Sequence, residues 1–375
     1  MVDLALRMLL HDRMRFFITL AGVAFAVQLI LSQMGLFLGL ISNSSVIIRH
    51  LPADLWVTSR NTPNVDFAQA FPETYVNRVR SIPGVARADN LIVTFVTNHL
   101  PNGASEGTVT YALEDFAPWN LPWSMGSGQL SDLRRGNFLV TDASAVRRIG
   151  DFQPGDYREI QGLRMRYVGR SRDAVSFTTT PVSFMDYRLA QRLNANILAG
   201  NTTYILVRAA PGADLQALKA EITRRLPYND VYLTREWADR SDAYWIKNTG
   251  LGLNAFTSVF LGVLVGVVVV AQTLYTATMD HLKEFGTVKA IGGSNADIYK
   301  LLLRQASLAA LVGFTLGSLL VLGLKPLVAS IGLKLVLPWN LWALVGLGTL
   351  VMCNLSAGLS FRKVASIDPG LVFRS

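Results

Sequence analysis

Residues 16–41, FFITLAGVAFAVQLILSQMGLFLGLI, decide the fold class of this 375-residue chain, because 26 consecutive positions carry no ionisable side chain. About 20 apolar residues are enough to cross the hydrocarbon core of a bilayer as a helix. A cleaved signal peptide would have an apolar region of only about 7 to 15 residues, followed by a small-x-small cleavage site. Neither condition is met, so the run is predicted to be a first transmembrane helix.

Three further apolar runs, at 251–278, 301–324 and 339–361, predict a second, third and fourth transmembrane helix. Only 16% of the chain is charged, compared with about 25% in soluble domains. Residues 42–247 nevertheless hold 23 of the 35 Lys and Arg and 20 of the 26 Asp and Glu. The predicted fold is therefore a membrane domain of four transmembrane helices in a 1+3 arrangement, with an α+β extracytoplasmic domain inserted between the first two.

The orientation of the spans follows from basic residues in the short segments, which stay on the cytoplasmic side of a membrane. Ten lie in the terminal segments and in or near the loop 279–299: Arg7, Arg13, Arg15, Lys283, Lys289, Lys300, Arg304, Arg362, Lys363 and Arg374. The opposite hairpin, 325–338, has only Lys325 and Lys334. We therefore expect both termini and the 279–299 loop in the cytoplasm and the large domain, 42–247, outside it.

The two terminal segments are predicted to be cytoplasmic. Residues 1–15 mix apolar with charged side chains, which is typical of a short amphipathic helix on the inner membrane surface, although a frayed terminus is the alternative. Residues 362–375 form a cytoplasmic tail. The formal charge of +9 is mainly a topology signal, because basic residues do not cluster with aromatic ones, and no nucleic-acid partner is predicted.

The inserted domain is expected to contain two βαβ-like units that bracket a mostly β insertion. The first comprises a strand at 54–59, a helix at 72–82 and a strand at 91–96. The second comprises a strand at 204–208, a helix at 214–226 and a strand at 231–233. We expect the two units to pack as one subdomain beside the membrane and the insertion, which includes 162–169, to form another farther out. The only cysteine, Cys353, lies in an apolar run, so the domain has no disulfide.

No catalytic or metal-binding constellation is predicted in the inserted domain. His50 and His99 lack partners at catalytic or metal-ligand spacing, so surface or capping roles are favoured. Trp119 and Trp123 lie in a Pro-rich loop, where core anchoring is favoured over docking of a partner. We expect neither a cofactor nor a metal.

The aromatic residues Trp237, Tyr244 and Trp245 precede the second span. Such residues are enriched at membrane interfaces, so they predict either an interfacial belt or a helical stalk.

Each of the first three spans contains a GxxxG pair, which permits close helix packing or a dimer contact. The pairs are Gly35 and Gly39, Gly262 and Gly266, and Gly313 and Gly317. No Asp, Glu, Lys or His lies in the middle of a span. Intramembrane charges mark ion and proton pathways, so the pattern does not favour an ion channel or a secondary transporter.

The loop between the second and third spans is the strongest functional candidate. Leu282, Phe285, Val288 and Ile291 are spaced by three, which predicts one apolar stripe on a short helix. Gly292 and Gly293 would end this helix, and Ser294 or Asn295 would cap the next one. Such a helix, connected to two spans, either receives force from a partner or rests on lipid headgroups.

Residues 284–292, EFGTVKAIG, resemble the E-[FIY]-[GA]-x-[LV]-K-A-[ILM]-G signature of FtsX/MacB-type ABC transporter permeases. The tail SIDPGLVFR, residues 366–374, is similar to the family ending I-x-P-A-E-V-L-R, except that Gly370 replaces Ala and Leu371 replaces Glu. LAGVAFA at 20–26, QMG at 33–35 and QTLYTATMDH at 272–281 most resemble the DevC-like branch. The inserted domain matches this family only in placement and size.

This resemblance implies that residues 280–291 form a coupling helix seated in a groove of the ATPase. The residues that it assigns to coupling are Asp280, His281, Lys283, Glu284, Phe285, Val288, Lys289, Ile291 and Gly292. No G-x-x-x-x-G-K-[ST] motif occurs in the chain, so the ABC ATPase is expected to be a separate subunit and the chain itself not an enzyme.

The resemblance further implies a permease homodimer, or a pair with a paralogous permease, in the bacterial inner membrane. A periplasmic adaptor and an outer-membrane TolC-like channel would complete an exporter of hydrophobic, lipid-like or peptide cargo, driven by mechanotransmission. The alternatives are a non-transporting FtsX-like relay that activates a cell-wall hydrolase, a lipoprotein-releasing subunit, and a sensor without an ATPase. The cargo is not encoded in any motif.

Overall fold

The computed structural model describes residues 13–177, 180–280 and 294–365. This part of the chain forms two compact units. The membrane unit comprises the described residues up to Gly39 and from Gly250 onward, and the inserted domain comprises Leu40–Thr249.

Most helices of the membrane unit are long, whereas those of the inserted domain are short. In chain order the α-helices are α1 (Arg13–Ser44), α2 (Val46–His50), α3 (Tyr75–Arg80), α4 (Val146–Ile149), α5 (Tyr187–Leu193), α6 (Ala195–Leu198), α7 (Leu215–Arg225), α8 (Thr234–Asn248), α9 (Leu251–Asp280), α10 (Asn295–Ser330) and α11 (Trp339–Ala365). Short 3-10 helices lie at Ala117–Trp119, Leu130–Arg135 and Ala143–Ala145.

Within the described ranges, four helices are long and apolar enough to cross a membrane, namely α1, α9, α10 and α11. Their spans overlap the four predicted runs but differ from them at the ends, and α10 already begins at Asn295, before the predicted start at 301. The third is longer than predicted, because α10 continues through Pro326 to Ser330 and shortens the 325–338 hairpin to residues 331–338. Gly332, at φ +86°, donates to the Ala329 carbonyl and ends the helix in the left-handed conformation that glycine adopts without strain.

The inserted domain is built on one large, mostly antiparallel sheet. Its strands are β1 (Leu55–Ser59), β2 (Phe71–Pro72), β3 (Val85–His99), β4 (Ser105–Leu113), β5 (Met125–Ser127), β6 (Phe138–Asp142), β7 (Tyr157–Ile160), β8 (Leu163–Ser171), β9 (Val182–Asp186), β10 (Asn201–Thr202), β11 (Tyr204–Ala209) and β12 (Asn229–Leu233). The order in the sheet is β12-β1-β11-β3-β4-β9-β6-β8-β5, with β7 paired to β3 and β8. Separately, β2 pairs with β10.

The two predicted βαβ units are interleaved in one layer. Strand β11 is antiparallel to both β1 and β3, and β1 is antiparallel to β12, so each unit contributes a strand between those of the other. Helices α3 and α7 cover this part of the sheet through a shared apolar cluster that includes Val79 and Ile222. Asp214 caps α7 by accepting hydrogen bonds from the Gln216 and Ala217 amides.

Two elements of the first unit differ from the prediction. Helix α3 starts only at Tyr75, because Phe71 and Pro72 pair with β10 as an extended segment. Strand β3 runs over 15 residues, since it pairs with β11 through Leu91 and with β4 from Leu91 onward. The β insertion is consequently not a separate sheet but a continuation of the layer that holds the two βαβ units.

Candidate functional site

The predicted coupling loop lies almost entirely outside the described residues. Asp280 is the exposed last residue of α9, and His281, Lys283, Glu284, Phe285, Val288, Lys289, Ile291 and Gly292 fall within 281–293. On its far side, Ser294 caps α10, as one of the two predicted candidates. Its hydroxyl oxygen accepts a hydrogen bond from the Asp297 amide at 3.3 Å, and the Asp297 carboxylate accepts one from the Ser294 amide at 3.1 Å.

The six glycines of the GxxxG pairs all face neighbouring segments of the same membrane unit. A Cβ on Gly39 would lie 1.8 Å from the Lys334 carbonyl oxygen. A Cβ on Gly317 would lie 2.6 Å from the Ala24 carbonyl oxygen. The neighbours of the other four are Leu335 and Leu337 at Gly35, Leu29 and Ile30 at Gly262, Met352 and Ala26 at Gly266, and Val23 at Gly313. These glycines permit close approach within one protomer, while a dimer contact at the same positions remains a prediction.

A seventh glycine, Gly22, was missed in the sequence. A Cβ there would lie 2.3 Å from Val269 of α9. The signal was present, because Gly22 and the fully buried Ala26 form a small-xxx-small pair on α1. With Gly22 included, α1 takes part in all seven of these close approaches.

The chain segment that follows α1 and the segment that precedes α9 are joined within the inserted domain, where α2 packs against α8. The Ser44 hydroxyl donates to Asp242 Oδ1 at 2.5 Å, and Arg49 Nη2 donates to Asp242 Oδ2 at 2.9 Å. Arg49 also reaches Asp239 at 3.2 Å, and the Ser241 hydroxyl donates to the Ser44 carbonyl at 3.4 Å. We call Ser44, Arg49, Asp239, Ser241 and Asp242 the junction network.

Sequence reasoning did not identify the junction network. Asp239 and Asp242 are three apart on α8, so they share a face, but their partner Arg49 is about 190 residues away in the chain. Only Asp242 is well shielded, since its side chain is 18% exposed against 60% for Asp239. The exposed Arg49–Asp239 pair therefore adds about 1 kcal/mol or less, and the shared Asp242 carboxylate contributes most of the cohesion.

The aromatic residues before the second span are helical, as one of the two readings predicted. Trp237 is fully buried within the inserted domain, with ring centroids 5.2 Å from Tyr232 and 6.0 Å from Tyr204. Trp245 stacks on Phe177 at 4.0 Å. The interfacial-belt alternative is wrong for both tryptophans, because their rings are already enclosed by protein.

The Pro-rich aromatic loop anchors the core of the inserted domain. Trp119 is fully buried, and its indole N–H donates to Asp89 Oδ2 at 2.9 Å. Trp123 is half-buried and stacks on the His50 ring at 4.2 Å. Docking of a partner onto Trp119 is therefore excluded in this conformation, which leaves core anchoring as its role.

The histidines occupy surface positions, as predicted. His50 is exposed, and its Nδ1 lies 2.7 Å from the Val46 carbonyl oxygen at the end of α2. His99 is also exposed and contacts the Ser105 hydroxyl at 3.1 Å. Each makes a local hydrogen bond of its own, and neither belongs to a cluster of catalytic groups in the described residues.

A polar cavity of about 280 Å³ was also missed in the sequence. It lies between the loop that carries Asp66, strand β3 and the residues around α6. Desolvation by burial raises the pKa of the Asp66 carboxyl to about 7. Burial, and then the negative charge of Asp66, raise the pKa of the Tyr111 and Tyr204 hydroxyls well above the usual value.

We expect Asp66→Asn to stabilise the inserted domain more at pH 8 than at pH 5. The folded pKa lies above the unfolded value of about 3.9, so the folded state binds more protons and stability falls as pH rises from about 4 to 7. The advantage of Asn should grow by on the order of 2 kcal/mol between pH 5 and pH 8. Thermal unfolding followed by tryptophan fluorescence measures this. Glu159→Gln, at an exposed carboxylate, is the control, and an equal gain at both pH values would contradict the assignment.

Comparison with known proteins agrees with this architecture. A family model of the FtsX-like permease C-terminal region matches residues 256–369, and one of the MacB-like periplasmic core domain matches residues 16–225. An uncharacterised ABC transporter permease of Mycobacterium tuberculosis (strain ATCC 25618 / H37Rv) is 25% identical over 355 residues, which cover 94% of this chain and 93% of the relative. Another, from Methanocaldococcus jannaschii, is 23% identical over 232 residues, covering 58% of this chain and 57% of the relative.

Among solved structures, the periplasmic region of MacB from Actinobacillus actinomycetemcomitans is similar to part of this chain. The TM-score is 0.39 and the sequence identity 13%, and the match covers 50% of this chain and 92% of that one.

In the described residues, four candidate membrane helices with an α/β domain between the first two, together with the matched permease family models, indicate a multi-pass inner-membrane protein with an extracellular domain. The chain belongs to the FtsX/MacB-type family of ABC transporter permeases. Membership in this class implies an ATPase as partner, and the relatives are consistent with a permease that has no enzymatic activity of its own.

Proposed function

We propose that this chain couples ATP hydrolysis by a separate ATPase subunit to movement of its inserted domain, and thereby drives export of a hydrophobic, lipid-like or peptide cargo. In the proposed assembly two copies, or one copy and a paralogous permease, bind two ATPases at the coupling helices. Both termini are cytoplasmic and the inserted domain is periplasmic. A periplasmic adaptor and an outer-membrane TolC-like duct receive the cargo.

The junction network is the observation that carries this proposal. Force that enters at the loop between α9 and α10 has to reach the inserted domain through the chain segments that connect it to the spans. Where the chain enters and leaves that domain, Ser44 and Arg49 on one connection bind the Asp242 carboxylate on the other. Movement of one connection is therefore transmitted to the other instead of being absorbed by independent linkers.

The apolar spans support transmission of force more than passage of an ion. In the described residues, Arg13 and Arg15 precede the first candidate span, and the third begins with Asp297, Lys300 and Arg304 in its first ten residues and has Lys325 near its end. No charged side chain lies in the middle of these spans, where a conducting pathway would need one. The inserted domain of about 200 residues also suits an exporter more than a hydrolase-activating relay.

The test is purification of the full chain, expressed with its neighbouring genes and carrying an affinity tag, followed by reconstitution in lipid nanodiscs. We expect an ABC ATPase subunit to co-purify and to hydrolyse ATP faster in the complex than alone. A complex without any nucleotide-binding subunit would refute the proposal. Co-purification of a cell-wall hydrolase in place of an adaptor would favour the relay alternative.

A further inference from the structure

The cavity beside Asp66 has the features of a built binding site in the inserted domain. Three chain segments surround it: the loop with Asp66, Ala68 and Ala70, strand β3 at Val93, Thr94 and Phe95, and the residues Asn194, Ile197 and Leu198 around α6, together with Thr203. Its volume of about 280 Å³ is slightly below the range of pockets that bind drug-sized molecules. The cavity is therefore suited to a small ligand.

The Asp66 carboxylate has no hydrogen-bond or ion-pair partner among the described residues, although it is desolvated. Its backbone amide donates to Asn64 Oδ1 at 3.0 Å, whereas no such contact from a described residue reaches its carboxylate. A desolvated carboxylate without a partner is costly, and the cost is relieved either by protonation or by a cation.

The polar groups beside Asp66 are already committed elsewhere. The Thr203 hydroxyl donates to the Leu91 carbonyl at 3.0 Å and accepts from the Val93 amide at 2.8 Å. The Asn194 amide donates to the Thr94 hydroxyl at 2.9 Å and accepts from Gln161 at 3.1 Å. These groups give the cavity a fixed polar wall but do not supply the positive charge that Asp66 lacks.

The remaining walls are apolar. Ala68, Ala70, Val93 and Leu198 line the cavity, and the rim carries Phe95 and Ile197, which are 46% and 65% exposed. An aromatic face also attracts a cation, so Phe95 and Asp66 favour the same kind of ligand. A metal ion fits less well, since the described residues contain no group of three His, Cys, Asp or Glu that could hold one.

We propose that this cavity binds the ammonium group of a small amphiphilic amine, with the Asp66 carboxylate pairing with the charge and the apolar walls contacting its hydrocarbon chain. The site lies in the inserted domain alone and goes beyond the proposed function, since it requires neither an ATPase nor transport. It places a charge-selective recognition site on the domain that the permease moves.

The experiment titrates the full chain in nanodiscs with hexylammonium chloride and, separately, with hexan-1-ol, by isothermal titration calorimetry at pH 8. Empty nanodiscs serve as the blank for partition into lipid. We expect hexylammonium to bind saturably and Asp66→Asn to weaken it about tenfold or more, because a buried charge loses its partner. Hexan-1-ol should bind weakly to the parent and to Asp66→Asn alike. Glu159→Gln, which removes one exposed negative charge from the same domain, should leave both titrations unchanged.

Two further measurements keep the outcome decisive. Hexylammonium should bind about tenfold more weakly at pH 6 than at pH 8. Only the ionised Asp66 carboxylate pairs with the ammonium group, and the pKa of Asp66 is about 7. Ala70→Leu keeps the charge but fills the cavity, so it should weaken both probes. Equal affinity of the parent and Asp66→Asn for hexylammonium, or no saturable binding to the parent, would overturn the proposal.

Discussion

Replacing Gly39 by Val is expected to lower the melting temperature of the membrane unit by roughly 10 °C or more, whereas Gly348→Val should be tolerated. A Cβ on Gly39 would lie 1.8 Å from the Lys334 carbonyl oxygen, while one on Gly348 would meet no atom within 4 Å. The obstacle at Gly39 is backbone, so no side-chain rotation relieves it. The connecting segment is also held to α1 by the Val336 amide, which donates to the Gly35 carbonyl at 3.0 Å.

The expected loss of folding free energy for Gly39→Val is larger than that of an ordinary overpacked core, which is about 1 to 3 kcal/mol. For a unit of this size, 3 kcal/mol corresponds to a fall of roughly 10 °C in the melting temperature. Size-exclusion chromatography after heating of the detergent-solubilised protein measures this fall. Gly348 belongs to an equally apolar helix, so its variant controls for the effect of Val itself. Equal melting temperatures for the two variants would show that α1 and residues 331–338 do not pack in this way.

The membrane helices could be predicted from the sequence because the length of an uncharged apolar run largely determines whether it spans a membrane. A run without charge, such as 16–41, has few alternatives to a span once it exceeds the thickness of the hydrocarbon core. Ends are set more locally, which is why α10 continues past Lys325 and Pro326. Its end depends on the positive φ of Gly332, a property that hydropathy does not contain.

In the inserted domain, sequence patterns predict individual elements but not how those elements pair. Local periodicity located α7 and the strands β1, β3, β11 and β12, but strand order is decided by pairings between distant segments, such as β1 with β11 and β12. The junction network and the Asp66 cavity arise in the same way. Arg49 and Asp242, or Asp66 and Asn194, are ordinary polar residues in the sequence and acquire a role only when the fold brings them together.

The coupling loop presents the reverse case, because its candidate site rests on sequence alone. Two sequence features support this site: the apolar stripe of Leu282, Phe285, Val288 and Ile291, and the similarity of EFGTVKAIG to the family signature. Both lie in the region that the FtsX-like family model matches. Its residues fall outside the described ranges, so the assignment requires a functional test.

Replacing Phe285 by Asp is expected to abolish nucleotide-driven movement of the inserted domains. In the proposed assembly Phe285 is central to the apolar stripe that contacts the ATPase, and a carboxylate there would have to be desolvated, at a cost of several kcal/mol. Phe285→Leu keeps an apolar side chain and should retain the movement. Charge reversal at Lys283 or Glu284, beside the stripe, should reduce it partially.

The movement can be measured as a distance between two spin labels in a reconstituted dimer. Tyr228 is 74% exposed in the inserted domain, and the only cysteine, Cys353, is buried and can be replaced. Labels on Tyr228→Cys should change separation when ATP and vanadate trap the closed ATPase. With Phe285→Asp the two distance distributions should coincide.

Co-purification of the ATPase separates the two ways in which Phe285→Asp can act. If the ATPase is still bound and hydrolyses ATP, loss of the distance change shows that Phe285 transmits force. If the ATPase is lost, Phe285 is required for docking, and the coupling helix is still the contact site. An unchanged distance shift in a complex that retains the ATPase would place the contact elsewhere, because a desolvated carboxylate in the transmitting interface is incompatible with normal coupling.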